Sequence, residues 1–380
     1  MKKNMNRIIA LGLAMGMLST TAYAEEVAET VDTAAQEEAE EVIEDDVLTL
    51  DEAIELLLDN SISLSQIEIY EDYLQVQKER VWDSYGSFAV PTADYQQWAD
   101  VSVYSYKSSI YDITSSAESS KLNEATLELT AELTLLNAFS TLFSTYESIE
   151  SMEAMIATSE TSYAQSELKH SLGMISDYTL DQAKVSLDSM YSSVAQLDLS
   201  IESQFITLNN LLGFSTDERY NIENPFEYEV YTIDNMDTFV TFALKSDMSI
   251  AQYELAVDSA EFDKNFLSVA TTTTQTDANS YNYDKAKLDL KNAKTTKEES
   301  IRSAYIQLQQ MELSYNEAVI DLAQAEKDYA LAETNFAVGN ITQLALDQAA
   351  LTVVQAENEI ASLERSYALQ VFRLENTTIL

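Results

Sequence analysis

Residues 172–184, LGMISDYTLDQAK, and residues 338–350, VGNITQLALDQAA, decide how this chain is organised. In each, the tetrapeptide LDQA begins seven residues after an isolated glycine, Gly173 or Gly339, and the two copies lie 166 residues apart. The same shift lays residues 121–212 on 287–378 without a gap. Lys121/Lys287, Ala138/Ala304, Tyr163/Tyr329 and Glu167/Glu333 are identical. Upstream, Ser63 and Gln66 fall on Ser249 and Gln252, now 186 apart, so the first half is about 20 residues longer between Gln66 and Lys121. A fixed offset over so long a run marks one structural unit present twice.

Turn residues are scarce. The chain has six glycines and two prolines. Gly86 and Pro91 fall in one irregular stretch, and Gly213 with Pro225 in another. Helix formers fill the rest, which predicts long helices broken at few places. Thr49 and Glu52 have the spacing of a capping box at the start of the first helix. Gly173 and Gly339 then mark where one long arm ends and the return arm begins, because a positive φ costs glycine least.

The arms carry a seam. Met311, Tyr315, Ala318, Leu322, Ala325, Tyr329, Ala332 and Phe336 recur at three- and four-residue steps, and Leu346, Ala349, Val353, Ala356, Ile360, Leu363 and Tyr367 do so on the return arm. Alternating small and bulky residues on a heptad stripe predict an antiparallel coiled coil. One hairpin buries only one stripe, so the apolar residues off this seam require further helices alongside, from the other half or from other subunits.

Composition removes several classes of function. The net charge is −44, which opposes binding to nucleic acid or to anionic lipid through charge. There is no cysteine, and the single histidine, His170, has Phe336 as its counterpart in the second half and reads as a surface or packing residue. Thiolate chemistry and the usual transition-metal sites therefore lack ligands. No acid–base pair or phosphate-cradling glycine loop stands out, so no catalytic residue, cofactor or metal site is assigned. Residues 1–24 have the basic start, short apolar run and Ala22-Tyr23-Ala24 ending of a secretory signal. Residues 25–47 contain eleven acidic side chains and no basic one, the composition of a solvated, disordered leader.

A signal peptide, two homologous halves and long hairpins turning at a glycine before LDQA resemble the TolC family of outer-membrane efflux ducts. The stretches LTLDEAIELLLDNSISLSQIEI at 48–69, LDLSIESQFITLNNLLG at 197–213 and AYIQLQQMELSYNEAVIDLAQAEKDYALAETNFAVG at 304–339 carry the resemblance, which covers nearly all of 48–380. It implies an all-α dominated fold, two tandem repeats of long antiparallel coiled-coil hairpins forming a helical barrel as a homotrimer, with little β-structure. The first repeat then spans 48–212 with an excursion at 84–117, a linker follows at 213–231, and the second repeat spans 232–380 with an excursion at 268–280.

The resemblance also implies an outer-membrane or periplasmic location and two partners, a periplasmic adaptor and an inner-membrane pump. The adaptor would dock on the hairpin tips, Leu172, Gly173 and Met174 in one half and Val338, Gly339 and Asn340 in the other. Family members often place acids six and nine residues beyond the second turn glycine, at the entrance. Here those positions are Ala345 and Gln348, and the acid is Asp347, eight beyond the glycine. Asp181 is its equivalent and Asp177 lies nearby, so these three are the candidate entrance acids, with solvated or capping roles as the alternative.

The excursions depart further from the family. VSVYSY at 101–106 alternates and suits a short strand pair, and Tyr95, Trp98, Tyr104 and Tyr106 are candidate membrane-interface aromatics or a cap on the helix ends. The second excursion is too short for two membrane strands of about 9–11 residues each. Two functions follow, a passive export duct and an exported coiled-coil scaffold of the cell envelope that lacks a pore.

Overall fold

The computed structural model describes residues 47–86, 96–267 and 273–380, and almost all of them are helical. Among the described residues eight α-helices follow one another: α1 (Leu50–Asp59), α2 (Ile62–Gly86), α3 (Gln96–Ser171), α4 (Asp177–Leu212), α5 (Met236–Ser246), α6 (Met248–Leu267), α7 (Thr273–Ala337) and α8 (Gln343–Glu375). Two residues, β1 (Val47–Leu48), pair in parallel with β2 (Asn221–Ile222). Helices α1–α4 belong to the first repeat and α5–α8 to the second.

The chain divides into two compact units, one made of residues up to Asn60 with Phe205–Glu223, the other of Ser61–Gln204 with Asn224–Leu380. In the first unit Thr49 and Glu52 form the capping box expected at the start of α1. The backbone N–H of Thr49 donates to Glu52 Oε2 at 2.9 Å, and this bond lowers the Glu52 pKa. Fully buried Asn209 staples the loop after α4 by donating to the carbonyls of Ser215 (2.8 Å) and Glu218 (3.1 Å) and accepting from the Tyr220 hydroxyl.

The second unit holds the long helices. Its α3 is 76 residues long despite many serines and threonines. Their hydroxyls donate back to the carbonyl four residues earlier, as Thr126, Thr130 and Thr134 do at 2.7–2.8 Å, so they compete little with the helix. On one side α2 packs on α3, and α4 runs back beside α3 through Ser159 with Met190 and Tyr191 with Glu160. On the other side α6 and α8 of the second repeat both pack on α3 of the first. Helix α7 packs in turn on α6 and α8. The helices thus lie side by side in this unit, with α2 and α4 along one edge and α7 along the other.

The expected seam between α7 and α8 is present. Ala318, Ala325 and Tyr367 are buried, and the remaining seam residues are half-buried except Phe336 at the turn. At the base of the hairpin Ala304, Leu308, Tyr367 and Leu374 form a core, against which Tyr228, Tyr231 and Tyr305 pack. Tyr367 accepts the backbone N–H of Tyr231 at 2.8 Å, so its hydroxyl is satisfied where the ring is 1% exposed.

Two buried charge pairs fix the packing, one between the repeats and one within the second. Arg365 on α8 forks onto both carboxylate oxygens of Glu147 on α3, and Asn358 donates to Glu147 O (3.0 Å) and Ser151 Oγ (2.8 Å). A planar guanidinium against a carboxylate fixes orientation as well as charge. The second pair joins Lys297 of α7 to Asp247 at 3.2 Å. Asp247 Oδ1 also caps α6 by accepting the N–H of Ile250 at 3.0 Å, and Lys297 Nζ donates to the Thr377 carbonyl at 2.9 Å.

One local expectation is corrected. Residues 101–106 are helical, within α3, and form no strand pair. A lone two-stranded hairpin is marginal without a partner, and no glycine or proline interrupts the run from Gln96 to Ser171. Tyr95 lies outside the described residues. Trp98 and Tyr104 are within α3, where only the backbone is described. Nine residues separate α2 from α3, and five separate α6 from α7.

The Lys297–Asp247 pair generates the first prediction. Replacing Lys297 with Met leaves a buried carboxylate without its cation, and denaturant titration is expected to register a loss of about 3–5 kcal/mol. Combining Lys297→Met with Asp247→Asn should recover much of it, because no charge is then stranded. The α2–α3 seam generates the second. Burial, then the carboxylates of Glu71, Glu128 and Glu68, raise the Glu124 pKa against the opposing pull of Lys121. A carboxyl raised in the folded state binds its proton more tightly than in the unfolded chain, so this contribution is full at acid pH and is lost as pH rises through the raised value. Glu124→Gln is expected to raise Tm modestly near pH 7 and to leave Tm unchanged near pH 4, as thermal melts across that range would check.

Candidate functional site

Both hairpin turns are built alike. At the first, the N–H of Gly173 donates to the His170 carbonyl and that of Met174 to the Lys169 carbonyl, each at 2.8 Å. At the second, Gly339 donates to Phe336 (2.9 Å) and Asn340 to Asn335 (2.8 Å). This pair of bonds satisfies the last carbonyls of a helix only if the residue between them is left-handed. Gly173 and Gly339 accordingly have φ of 70° and 75°. Each return arm is then capped in the same way. Ser176 Oγ accepts from Thr179 N, and its equivalent Thr342 Oγ1 accepts from Ala345 N, both at 3.3 Å.

The tips point apolar side chains into open space. Leu172, Met174 and Val338 are each about two-thirds exposed. Asn340 is exposed as well. A β-carbon added at either glycine would meet nothing within 4 Å. Conformation, not crowding, selects glycine there.

The three candidate acids have different surroundings. Asp347 is half-buried where α8 meets α3, accepting from Thr161 Oγ1 at 2.6 Å and from Gln343 Nε2 at 2.7 Å. It therefore ties the second hairpin to the first. Asp181 is exposed on α4. Asp177 pairs across the first turn with His170, Nε2 to Oδ1 at 2.5 Å. The second tip has Phe336 and Gln343 at those positions, so only the first carries this clasp.

Electrostatics repeat between the halves. Tyr163 has a raised pKa from desolvation, its hydrogen bond to Glu167, and the charges of Asp188 and Asp181. At the equivalent position, Glu333 foremost raises the Tyr329 pKa, with Asp347 contributing. In both halves the nearby carboxylates favour the neutral hydroxyl of the outgoing-arm tyrosine. Among the described residues no group of three His, Cys, Asp or Glu side chains is placed to hold a metal ion.

Sequence reasoning placed the tips and the acids on the same turns but missed two partnerships. The spacing of His170 and Asp177 across a glycine turn was a usable signal. Nothing in the spacing of Thr161 and Asp347, 186 residues apart, announces a contact. At the opposite end of α2 and α3, Trp82 and Tyr106 rings lie 6.2 Å apart, with Trp82 exposed. No helix among the described residues is long and apolar enough to cross a membrane.

No protein-family model and no curated protein matches the sequence. Solved structures do match in fold. The CmeC outer membrane channel of Campylobacter jejuni is 14% identical, with a TM-score of 0.63 over 87% of this chain and 85% of that one. The outer membrane protein VceC of Vibrio cholerae is 14% identical, with a TM-score of 0.61 over 87% and 95%. The MtrE outer membrane channel of Neisseria gonorrhoeae, in its open state, is 11% identical, with a TM-score of 0.54 over 87% and 89%. The chain has the fold of TolC-like outer-membrane channels.

Replacing either tip glycine with Val strains a left-handed residue without a clash, at a cost of about 1–2 kcal/mol. Hydrogen exchange is expected to speed up in the last turn of the affected outgoing arm and to leave the rest of the helices unchanged.

Proposed function

We propose that this chain is the duct of an envelope efflux system, a homotrimeric passive tunnel that a periplasmic adaptor couples to an inner-membrane pump. The observation that carries this reading is the pair of matched tips. Two glycine turns of one geometry present Leu172, Met174 and Val338 to solvent on a channel fold. Exposed apolar residues at the ends of rigid coiled coils are what a docking partner's own helices bury. In this reading the chain is exported to the outer membrane or periplasm and catalyses nothing. Gly173, Gly339 and Asn340 shape the docking turns, while Asp177, Asp181 and Asp347 border the entrance. The start of α3, with Trp98, Tyr104 and Tyr106, is in this reading the end that lies toward the membrane.

A second reading has its own observation. With α2 and α3 only nine residues apart, and α6 and α7 five, little chain remains outside the helices for membrane strands of about 9–11 residues. This favours an exported helical scaffold of the envelope without a pore.

The two separate on one experiment. In the duct, Leu172→Glu with Val338→Glu is expected to abolish export, read as restored sensitivity to exported compounds, while protein level and oligomeric state stay normal. Unchanged export in that variant sinks the duct reading. Single-channel recording of the purified oligomer then distinguishes a conducting duct from a silent scaffold.

A further inference from the structure

The basic residues of this acidic chain are concentrated in one place. Five of its 21 lysines and arginines lie between 285 and 297, on α7. With Asp289 that stretch has a charge of +4 (five lysines, one aspartate), in a chain of net charge −44. The equivalent stretch of the first repeat, 119–131, has one lysine and two glutamates, a charge of −1. The cluster therefore belongs to the second repeat and not to the duplicated unit.

Three of these lysines line one cavity. It measures about 370 Å³, opens to solvent and lies where α7 packs on α5 and α6. Leu244 of α5, Val257 of α6 and Leu290 of α7, each half-buried, give it an apolar floor, and Lys287, Lys291 and Lys294 stand beside them. Small-molecule sites usually measure about 300–1,000 Å³. In the first repeat the positions of Val257, Leu290 and Lys294 are held by Glu71, Glu124 and Glu128. Where one repeat has three carboxylates, the other has two apolar side chains and a cation.

The fold leaves these lysines without enough counter-charge. Lys287, Lys291 and Lys294 follow at four- and three-residue steps, so they share one helix face and repel one another. Lys294 pairs with Glu254 at 2.6 Å. Lys287 lies 5.2 Å from the centre of the Tyr283 ring, and among the described residues neither it nor Lys291 forms an ion pair. Glu298, the carboxylate that also lines the cavity, is taken by Arg302 at 2.9 Å. A bound anion would relieve the repulsion along this face.

We propose that the cavity binds a free anionic amphiphile, an alkyl chain that carries a phosphate or carboxylate. The alkyl chain lies against Leu244, Val257 and Leu290, and Lys287 and Lys291 take the headgroup. Ammonium groups on long flexible stems meet an anion as point charges, without demanding one fixed geometry. A bare phosphate fits less well, because an apolar floor offers nothing in place of its hydration. An anionic membrane surface fits less well too, because the rest of the chain repels it. The site holds whether or not the chain conducts.

Decyl phosphate, kept below its micelle concentration, is the probe for the full-length protein. It is expected to raise Tm by about 2–4 °C. Calorimetric titration should find its Kd weakened at least about tenfold in Lys287→Ala/Lys291→Ala. Both lysines are exposed, so this variant keeps the wild-type fold, as circular dichroism checks. Val257→Glu, which brings in the first repeat's carboxylate, should abolish binding. Inorganic phosphate and decyl maltoside, which supply the charge or the alkyl chain alone, should leave Tm unchanged. No binding to the wild type, an unchanged Kd in the double variant, or equal binding of decyl maltoside overturns the proposal. So does flotation of the wild type with phosphatidylglycerol vesicles that the double variant loses, since the lysines would then be a membrane contact.

Discussion

The fork of Arg365 onto Glu147 is the contact on which the arrangement of the repeats depends. It joins α8 to α3 from side chains 218 residues apart in the chain, and Arg365 is almost fully buried. Taking both charges out of water is costly, and the cost is offset only if the helices hold one register. Asn358, two turns earlier on α8, reinforces that register through Glu147 O and Ser151. A coiled coil of alanine, leucine and tyrosine tolerates sliding by a heptad; a bidentate ion pair does not. We regard this pair as a specificity device.

The rest of the second unit follows from that register. With α8 fixed on α3, Asp347 reaches Thr161 and the two hairpins run side by side. Their glycine turns then present equivalent surfaces that differ in chemistry, one clasped by His170 and Asp177, the other carrying Phe336 and Gln343. A partner meeting both tips would meet two surfaces of one shape and different charge. Specificity for such a partner needs no pocket, since shape is set by the turns and charge by a few side chains.

Much of this was legible in the sequence, for identifiable reasons. The turn glycines were legible because only glycine takes positive φ cheaply, and each stands alone in a long run of helix formers. The α7–α8 seam was legible because burial of one stripe imposes a period, and Ala318, Ala325 and Tyr367 obey it. The strand reading of 101–106 failed because six alternating residues without a partner strand cannot outweigh a helix that runs on to Ser171. The spacing of Asp177, Asp181 and Asp347 after the turn glycines could be read, but their different surroundings were invisible. Whether a carboxylate faces a threonine or solvent depends on which helix lies alongside.

The sequence by itself determined the local and periodic features, namely the duplication, the helices, the two left-handed turns and the stripe that zips the second hairpin. All of these are set by backbone preference and by residues within a few turns of one another. Only the tertiary structure decided which hairpin lies beside which, and so that Glu147 meets Arg365, Asp247 meets Lys297 and Thr161 meets Asp347. Those pairs join residues at least 50 positions apart, and no local propensity encodes them. They form because a buried charge or amide must find its one partner, and the packed helices leave a single place for it.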